Sequence, residues 1–400
     1  MKRTRMPLGL AIAAVIGLFI SPAFGQNVLP PDSHAYYWYG HGHSINPDAA
    51  RANAAAATTV PMWGYTITSN RDGNNYSGVM VGRSPFFHGK RTTNIPAVII
   101  PLKVNMPDGG VFDPTAGDSC AGGGNALNLM QNSPIMLTHD FNFGGTDMGT
   151  VQYEDAFERA NFFSEISATG NRYHTVLSPI TTVPVQTVNV PSGDGATFPA
   201  IDNPGLLCAN FGLINVNYWD PSANGEAGSG EVGTILSSLS GQGVNPTVIP
   251  ILLLNNVAIT TDISGGSGWF VYHDVEGSPP QTYSVNDFDT TNGDGNSGTG
   301  FDNTGAVAHE MGEWMDDPLV NNPTPAWGHI GQQPNCQNNL EVGDALTGTF
   351  IPPVSMPDGF TYDLQELVFF SWFYSSPSIG VNGWFSNNDT FTSDAGAPCT

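Results

Sequence analysis

From Tyr173 to Thr400 the chain contains no lysine and no arginine; every basic side chain of that kind lies at or before Arg172. So long a stretch must stay in solution on carboxylates and neutral polar groups, and Asn, Ser, Thr and Gly are abundant in it. Over the whole sequence 11 Lys and Arg face 35 Asp and Glu, a net charge of −24. Such a surface repels nucleic acid and anionic membranes, so functions that need a basic footprint are excluded. Carboxylates lose charge as pH falls toward ~4, which eases the self-repulsion and suits an acidic habitat.

The N-terminus carries a different signal. Met1-Lys-Arg-Thr-Arg5 precedes the apolar run Leu8–Ile20 and then Ser21-Pro-Ala-Phe-Gly25, with Ala23 and Gly25 at the two positions that must be small. The run is shorter than the roughly 20 residues of a comfortable membrane span. Residues 1–25 therefore read as a cleavable signal peptide, and the mature chain as secreted, extracellular or periplasmic, with no membrane association after cleavage. Loss of Lys2, Arg3 and Arg5 leaves 8 basic residues against 35 acidic ones, a net of −27. In an oxidising compartment the four cysteines suit two disulfides. Of three connectivities, Cys120–Cys208 with Cys336–Cys399 is preferred, because the first pair shares the N-terminal half and the second could tie down the C-terminus.

Residues 26–58 read as a loosely structured lead-in. Strand-like segments follow at Met62–Ser69, Tyr76–Val81 and Ala97–Asn105, with Asp72-Gly73 a turn between the first two. Tyr153–Ile166 has helical spacing, Thr175–Val190 is strand-like and Glu231–Ser240 suits a helix. The nearly continuous apolar run Pro246–Ile259 suits a buried strand, and Trp269–Val275 with Gln281–Phe288 resembles a hairpin. Strands outnumber helices without regular alternation, which predicts an α+β fold. A β-rich region at 59–200 and a site-bearing region at 201–400 is the expected division.

Gly305–Asp317 is the most informative segment. At about 100° per residue Val307, Met311, Trp314 and Met315 make one apolar stripe, and His309, Glu310, Glu313, Asp316 and Asp317 the opposite face. Asp302, Asn303 or Thr304 caps its start and Pro318 ends it. His309 and Glu313 stand one helical turn apart and can hold one cation, while Glu310 lies about 100° round, able to address a bound water without ligating. This is the logic of the HExxH zinc helix with glutamate in place of the second histidine.

The segment resembles the zincin metallopeptidases, specifically the gluzincin type, in an HExxE form. Together with Asp317-Pro318, Trp327-Gly328 and Glu341-Val-Gly-Asp344 it is also similar to uncharacterised secreted bacterial proteins and, more distantly, to the plant EXORDIUM-like phosphate-induced group. The resemblance covers residues 305–346. It implies a zincin-like half with an active-site helix, and a metal-dependent hydrolase acting on a peptide or protein substrate. His309, Glu313 and a later carboxylate, Glu341, would be ligands, with Asp344 and His329 as rivals and Glu310 as general base. Zn²⁺ is the expected cofactor; one imidazole and two carboxylates also suit Mn²⁺ or Ca²⁺. A carboxylate ligand (pKa ~4.3) competes against protons in acid better than an imidazole (~6.5).

Other residues carry weaker signals. His273 and Asp274, before the motif helix, are candidates to line a substrate cleft. Asp287, Asp289, Asn292, Asp294 and Asn296 make an acidic loop considered for structural Ca²⁺, although the closing Glu of an EF-hand is missing. The competing class is a non-catalytic secreted cell-surface or matrix binding protein with a structural metal or none. Intact-mass analysis should place the mature N-terminus at or near Gln26, and non-reducing peptide mapping should find all four cysteines bridged. Retention of residues 1–25, or four free thiols under denaturing conditions, refutes the respective reading.

Overall fold

The computed structural model describes residues 47–87, 91–118, 120–168, 172–199, 210–265, 269–291, 303–328 and 336–393. The expected signal segment 1–25, Cys208, His329, Cys399 and residues 292–302 of the acidic loop lie outside them. The fold is α+β, with helices and strands both well represented. Its centre is a mixed sheet built on the long strand β3 (Arg91–Asn105), after the hairpin β1 (Met62–Thr68) and β2 (Asn75–Val81). The strands β4 (Tyr173–Thr182) and β5 (Gln186–Asn189) both run parallel to β3 on one side. On the other side come β6 (Ile249–Asn255) and β8 (Gln281–Phe288), also parallel, and β7 (Tyr272–Glu276), antiparallel to β8, closes that edge. The expected division near residue 200 does not separate two sheets, because β3 pairs with β6.

Strand β6 is Ile-Pro-Ile-Leu-Leu-Leu-Asn and is buried at every position. A continuous apolar run is what a parallel strand covered on both faces requires. Alternation then splits it: Ile251 and Leu253 join the core that holds the motif helix, while Leu252 and Leu254 join the core of the opposite face. On that opposite face Asp220 Oδ2 accepts from Tyr272 Oη (2.7 Å) and Tyr283 Oη (2.6 Å), tying a buried turn to β7 and β8.

Several elements end where local chemistry breaks the pattern. The run 246–259 is two strands, since Asn256 adopts φ 57° and sends Val257–Thr260 into a separate four-stranded sheet. Asparagine tolerates this left-handed backbone, and its side chain donates to Thr290 Oγ1 (2.8 Å). Trp269–Phe270 pairs with Ile259–Thr260 and not with β8, so the hairpin begins only at Tyr272. The helix at 153–166 breaks at Phe162 into α1 (Tyr153–Asn161) and a short turn, Phe163–Ser167. Part of the lead-in, Pro47–Ala55, is helical, as its alanine content allows. No helix among the described residues is long and apolar enough to cross a membrane. Cys120 and Cys336 are each disulfide-bonded and no described cysteine is free.

The motif helix, α2 (Gly305–Asp316), is buried along its whole length. The sequence expectation of a polar face opposite a packed one is met only in part. The apolar stripe packs on the core, but the polar face is covered by β7 and by residues 341–344 and 365 rather than by water. Under its C-terminal end, Asp316 meets Glu158 of α1, which also accepts from Tyr173 Oη (3.2 Å). Burial first, with Asp155 adding repulsion, raises the Glu158 carboxyl from its ordinary 4.5 to about 7. Such a group holds a proton in the folded state that it loses in the unfolded one. Its stabilisation is complete below about pH 4.5 and is lost as pH rises to about 7, on the order of 3 kcal/mol in all. Denaturant titrations should therefore show Glu158→Gln gaining on the wild type by about that amount between these pH values. A stability difference that does not vary with pH refutes the shifted proton.

Candidate metal centre

His309 occupies the middle of α2 with 0% exposure. Its Nδ1 lies 3.1 Å from Gln365 Oε1, and Gln365 Nε2 donates to the Gly343 carbonyl at 2.7 Å. The second bond fixes the amide, so Oε1 is the acceptor and the imidazole proton belongs on Nδ1. Nε2 is left to face oxygens that only accept when ionised: Glu313 Oε1 at 3.1 Å, Asp344 Oδ1 at 3.5 Å and Glu310 Oε1 at 3.9 Å. A ring nitrogen oriented in this way, through a hydrogen bond on the other nitrogen, is how proteins prepare a metal-ligating histidine.

The backbone of residues 343–344 closes over the ring. The Gly343 and Asp344 amides donate to Glu313 Oε1 at 3.1 and 3.2 Å. A Cβ on Gly343 would sit 2.4 Å from His309 Nδ1, so only glycine lets this turn approach so closely. The side chain of Gln337 donates to Asp344 Oδ2, and Asn339 Nδ2 donates to Glu341 Oε1. Glu341 is fully buried and its carboxyl is hydrogen-bonded to that of Glu313.

From the opposite wall comes His273 of β7. Its Nε2 lies 3.0 Å from the Asp317 carbonyl, which fixes the proton there, and Nδ1 faces Glu310 Oε2 at 3.2 Å and Glu313 Oε2 at 3.8 Å. The Asp317 carboxylate caps the following turn by accepting from the Asn321 and Asn322 amides at 3.0 Å. Burial pushes the His273 imidazole down to about 4 and the Glu310 carboxyl up to about 8, with Asp344 adding to the latter. Glu313 and Glu341 are raised well above the usual range, by burial first and then by the neighbouring carboxylates. Asp317 reaches about 7, again through burial. The chain supplies no Lys or Arg after Arg172, and the described Lys and Arg ion pairs, Arg51–Asp48 and Lys103–Asp113, lie elsewhere. Only protons or cations can neutralise this interior.

A divalent ion fits these donors. His309, Glu313 and Asp344 place one ligand atom each within 4.8 Å of one another. Of the candidates for the third ligand, Asp344 is the one that joins this set; Glu341 stands behind Glu313, and His329 lies outside the described residues. Strand alternation separates the two cleft candidates: His273 enters the site, whereas Asp274 turns to the opposite face and lies near Asp220. In the acidic loop, Asp287 Oδ1 accepts from the Val257 amide and Asp289 Oδ1 from Thr291, so both are engaged in local structure. Sequence reasoning missed Gln365, Gly343 and Gln337. Nothing local marks an amide more than 50 positions away as the partner of a histidine ring; the Glu341–Asp344 pattern was the one clue to Gly343.

Gly343→Ala should displace the His309 ring, lower stability by about 1–3 kcal/mol and weaken metal binding at least tenfold. Unchanged melting temperature and unchanged affinity in equilibrium dialysis would show that the close approach is not needed. Searches against family models, curated proteins and solved structures found no match to this chain.

Proposed function

We propose that this chain is a secreted metal-dependent hydrolase acting on peptide bonds, with its centre at His309, Glu313 and Asp344. One observation carries the reading: the His309 ring is locked so that Nε2 meets two carboxylates at 3.1 and 3.5 Å, with the Glu310 carboxyl beside them. A divalent ion bound there supplies Lewis acidity and a water that ionises near neutrality. His309 and the two carboxylates would hold it, their charges matching its own. Gln365 keeps the ring oriented, and the Gly343 and Asp344 amides hold Glu313 Oε1 in place. Glu310 Oε1 faces the same space, 3.9 Å from His309 Nε2, where an ionised carboxylate can accept a proton and return it to a leaving amine. Its other oxygen lies 3.2 Å from His273 Nδ1. The signal-like N-terminus, the lack of basic side chains after Arg172 and the HExxE resemblance support an exported hydrolase.

A second reading has its own support. Every donor is at most 4% exposed, and closed centres are characteristic of structural metals. In that case the protein is a non-catalytic secreted binding module held together by its ion.

Substitutions separate the two. With casein and quenched peptide libraries as substrates, at pH 5 and pH 7 with added Zn²⁺, Glu310→Gln should lower hydrolysis by about 10²- to 10⁴-fold and leave the His309-bound ion in place. His309→Ala, Glu313→Ala and Asp344→Ala should each release that ion. Absence of hydrolysis in the zinc-loaded wild type, with a melting temperature that falls on chelation, selects the structural reading. Retention of the ion in all three alanine variants refutes both.

A further inference from the structure

The carboxylate of Glu313 faces two ways. Oε1 belongs to the His309 and Asp344 set, while Oε2 points at His273 Nδ1 (3.8 Å), which also meets Glu310 Oε2 (3.2 Å). His273, Glu310 and Glu313 thus place a second group of ligand atoms within 4.8 Å of one another, all buried, and the two groups share only Glu313.

The His273 ring is oriented independently of either carboxylate. A backbone carbonyl cannot donate, so the contact of Nε2 with the Asp317 carbonyl at 3.0 Å puts the imidazole proton on Nε2. The lone pair of Nδ1 is then directed at two carboxylate oxygens. This repeats, from another strand and with another anchor, what Gln365 does for His309. Because Glu313 is shared, Glu310, Glu313 and Asp344 bring three negative charges to two divalent ions, and Glu341 beside Glu313 brings a fourth; imidazole and carboxylate donors suit Zn²⁺ or Mn²⁺.

We propose that His273, Glu310 and Glu313 form a second divalent-cation position, with Glu313 bridging it to the first, and that filling it takes Glu310 out of proton transfer. The proposal rests on the reading of the His309 set as a metal centre. It makes excess metal an inhibitor: one cation supports hydrolysis, and the second engages the carboxyl that hydrolysis needs.

The test is equilibrium dialysis of the metal-free, full-length protein against increasing Zn²⁺, with bound metal counted per chain. Two zinc ions are expected at saturation in the wild type, and one in His273→Ala and in His273→Gln, the latter keeping a donor for the Asp317 carbonyl. One ion at saturation in the wild type overturns the proposal, and so does retention of the second ion in folded His273 variants. If neither variant folds, the wild-type count decides. A wild type that binds two ions and hydrolyses nothing at any loading removes the hydrolase reading and leaves the second position standing. A hydrolase that saturates with one ion removes only the second position.

Discussion

The structure around the motif helix depends on neutralising buried carboxylates without basic side chains. Glu310, Glu313, Asp317, Glu341 and Asp344 are all at most 4% exposed. Two unit charges 4 Å apart repel by about 4 kcal/mol at an effective dielectric of 20, so such a group cannot ionise together unaided. Elsewhere a protein would bring in arginine; this chain has none to offer after Arg172. What it brings are two imidazoles, each with one nitrogen committed to a neutral acceptor and the other turned inward. That arrangement directs a lone pair of each ring toward the buried carboxylates, which burial drives to hold protons.

The surrounding fold exists to hold these rings and carboxylates still. Residues 97–102 of β3 and the whole of β6 and β8 are buried on both faces, and α2 packs against β8 and β7, its Val307, Met311, Trp314 and Met315 joining the shared core. β7 adds His273 from the antiparallel edge. The chain beyond α2 then folds back: Asn322 bonds the Val79 backbone, residues 343–344 cap Glu313, and Gln365 reaches His309. Gln365, which orients His309, is anchored on the Gly343 carbonyl, and the His273 ring rests on the Asp317 carbonyl; such second partners commonly govern metal affinity.

Burial of both faces of α2 also links the centre to stability. A helix whose polar side is covered must satisfy every group on it, and an unmatched buried charge costs several kcal/mol. Protons fill that role at low pH, as the raised Glu158, Glu310 and Asp317 carboxyls indicate. The acidic character of the chain and the composition of its centre thus belong to one physical constraint.

By itself the sequence determined the mixed α and β content, the strand-like segments 62–69 and 76–81, an apolar run at 246–259 whose division at Asn256 it did not show, and the motif helix with His309, Glu310 and Glu313 on one side. These are local: periodicity, turn residues and caps act within about a dozen positions. The pairing of β3 with β6, the choice of Asp344 beside His309, the entry of His273 and the exclusion of Asp274 were decided only by tertiary structure. The same holds for the roles of Gln365 and Gly343, which lie 56 and 34 positions from His309. The physical reason is that helix and strand formation are governed by neighbours along the chain. A metal-ligand set is governed by distances of a few ångströms between segments, and no local pattern encodes those distances.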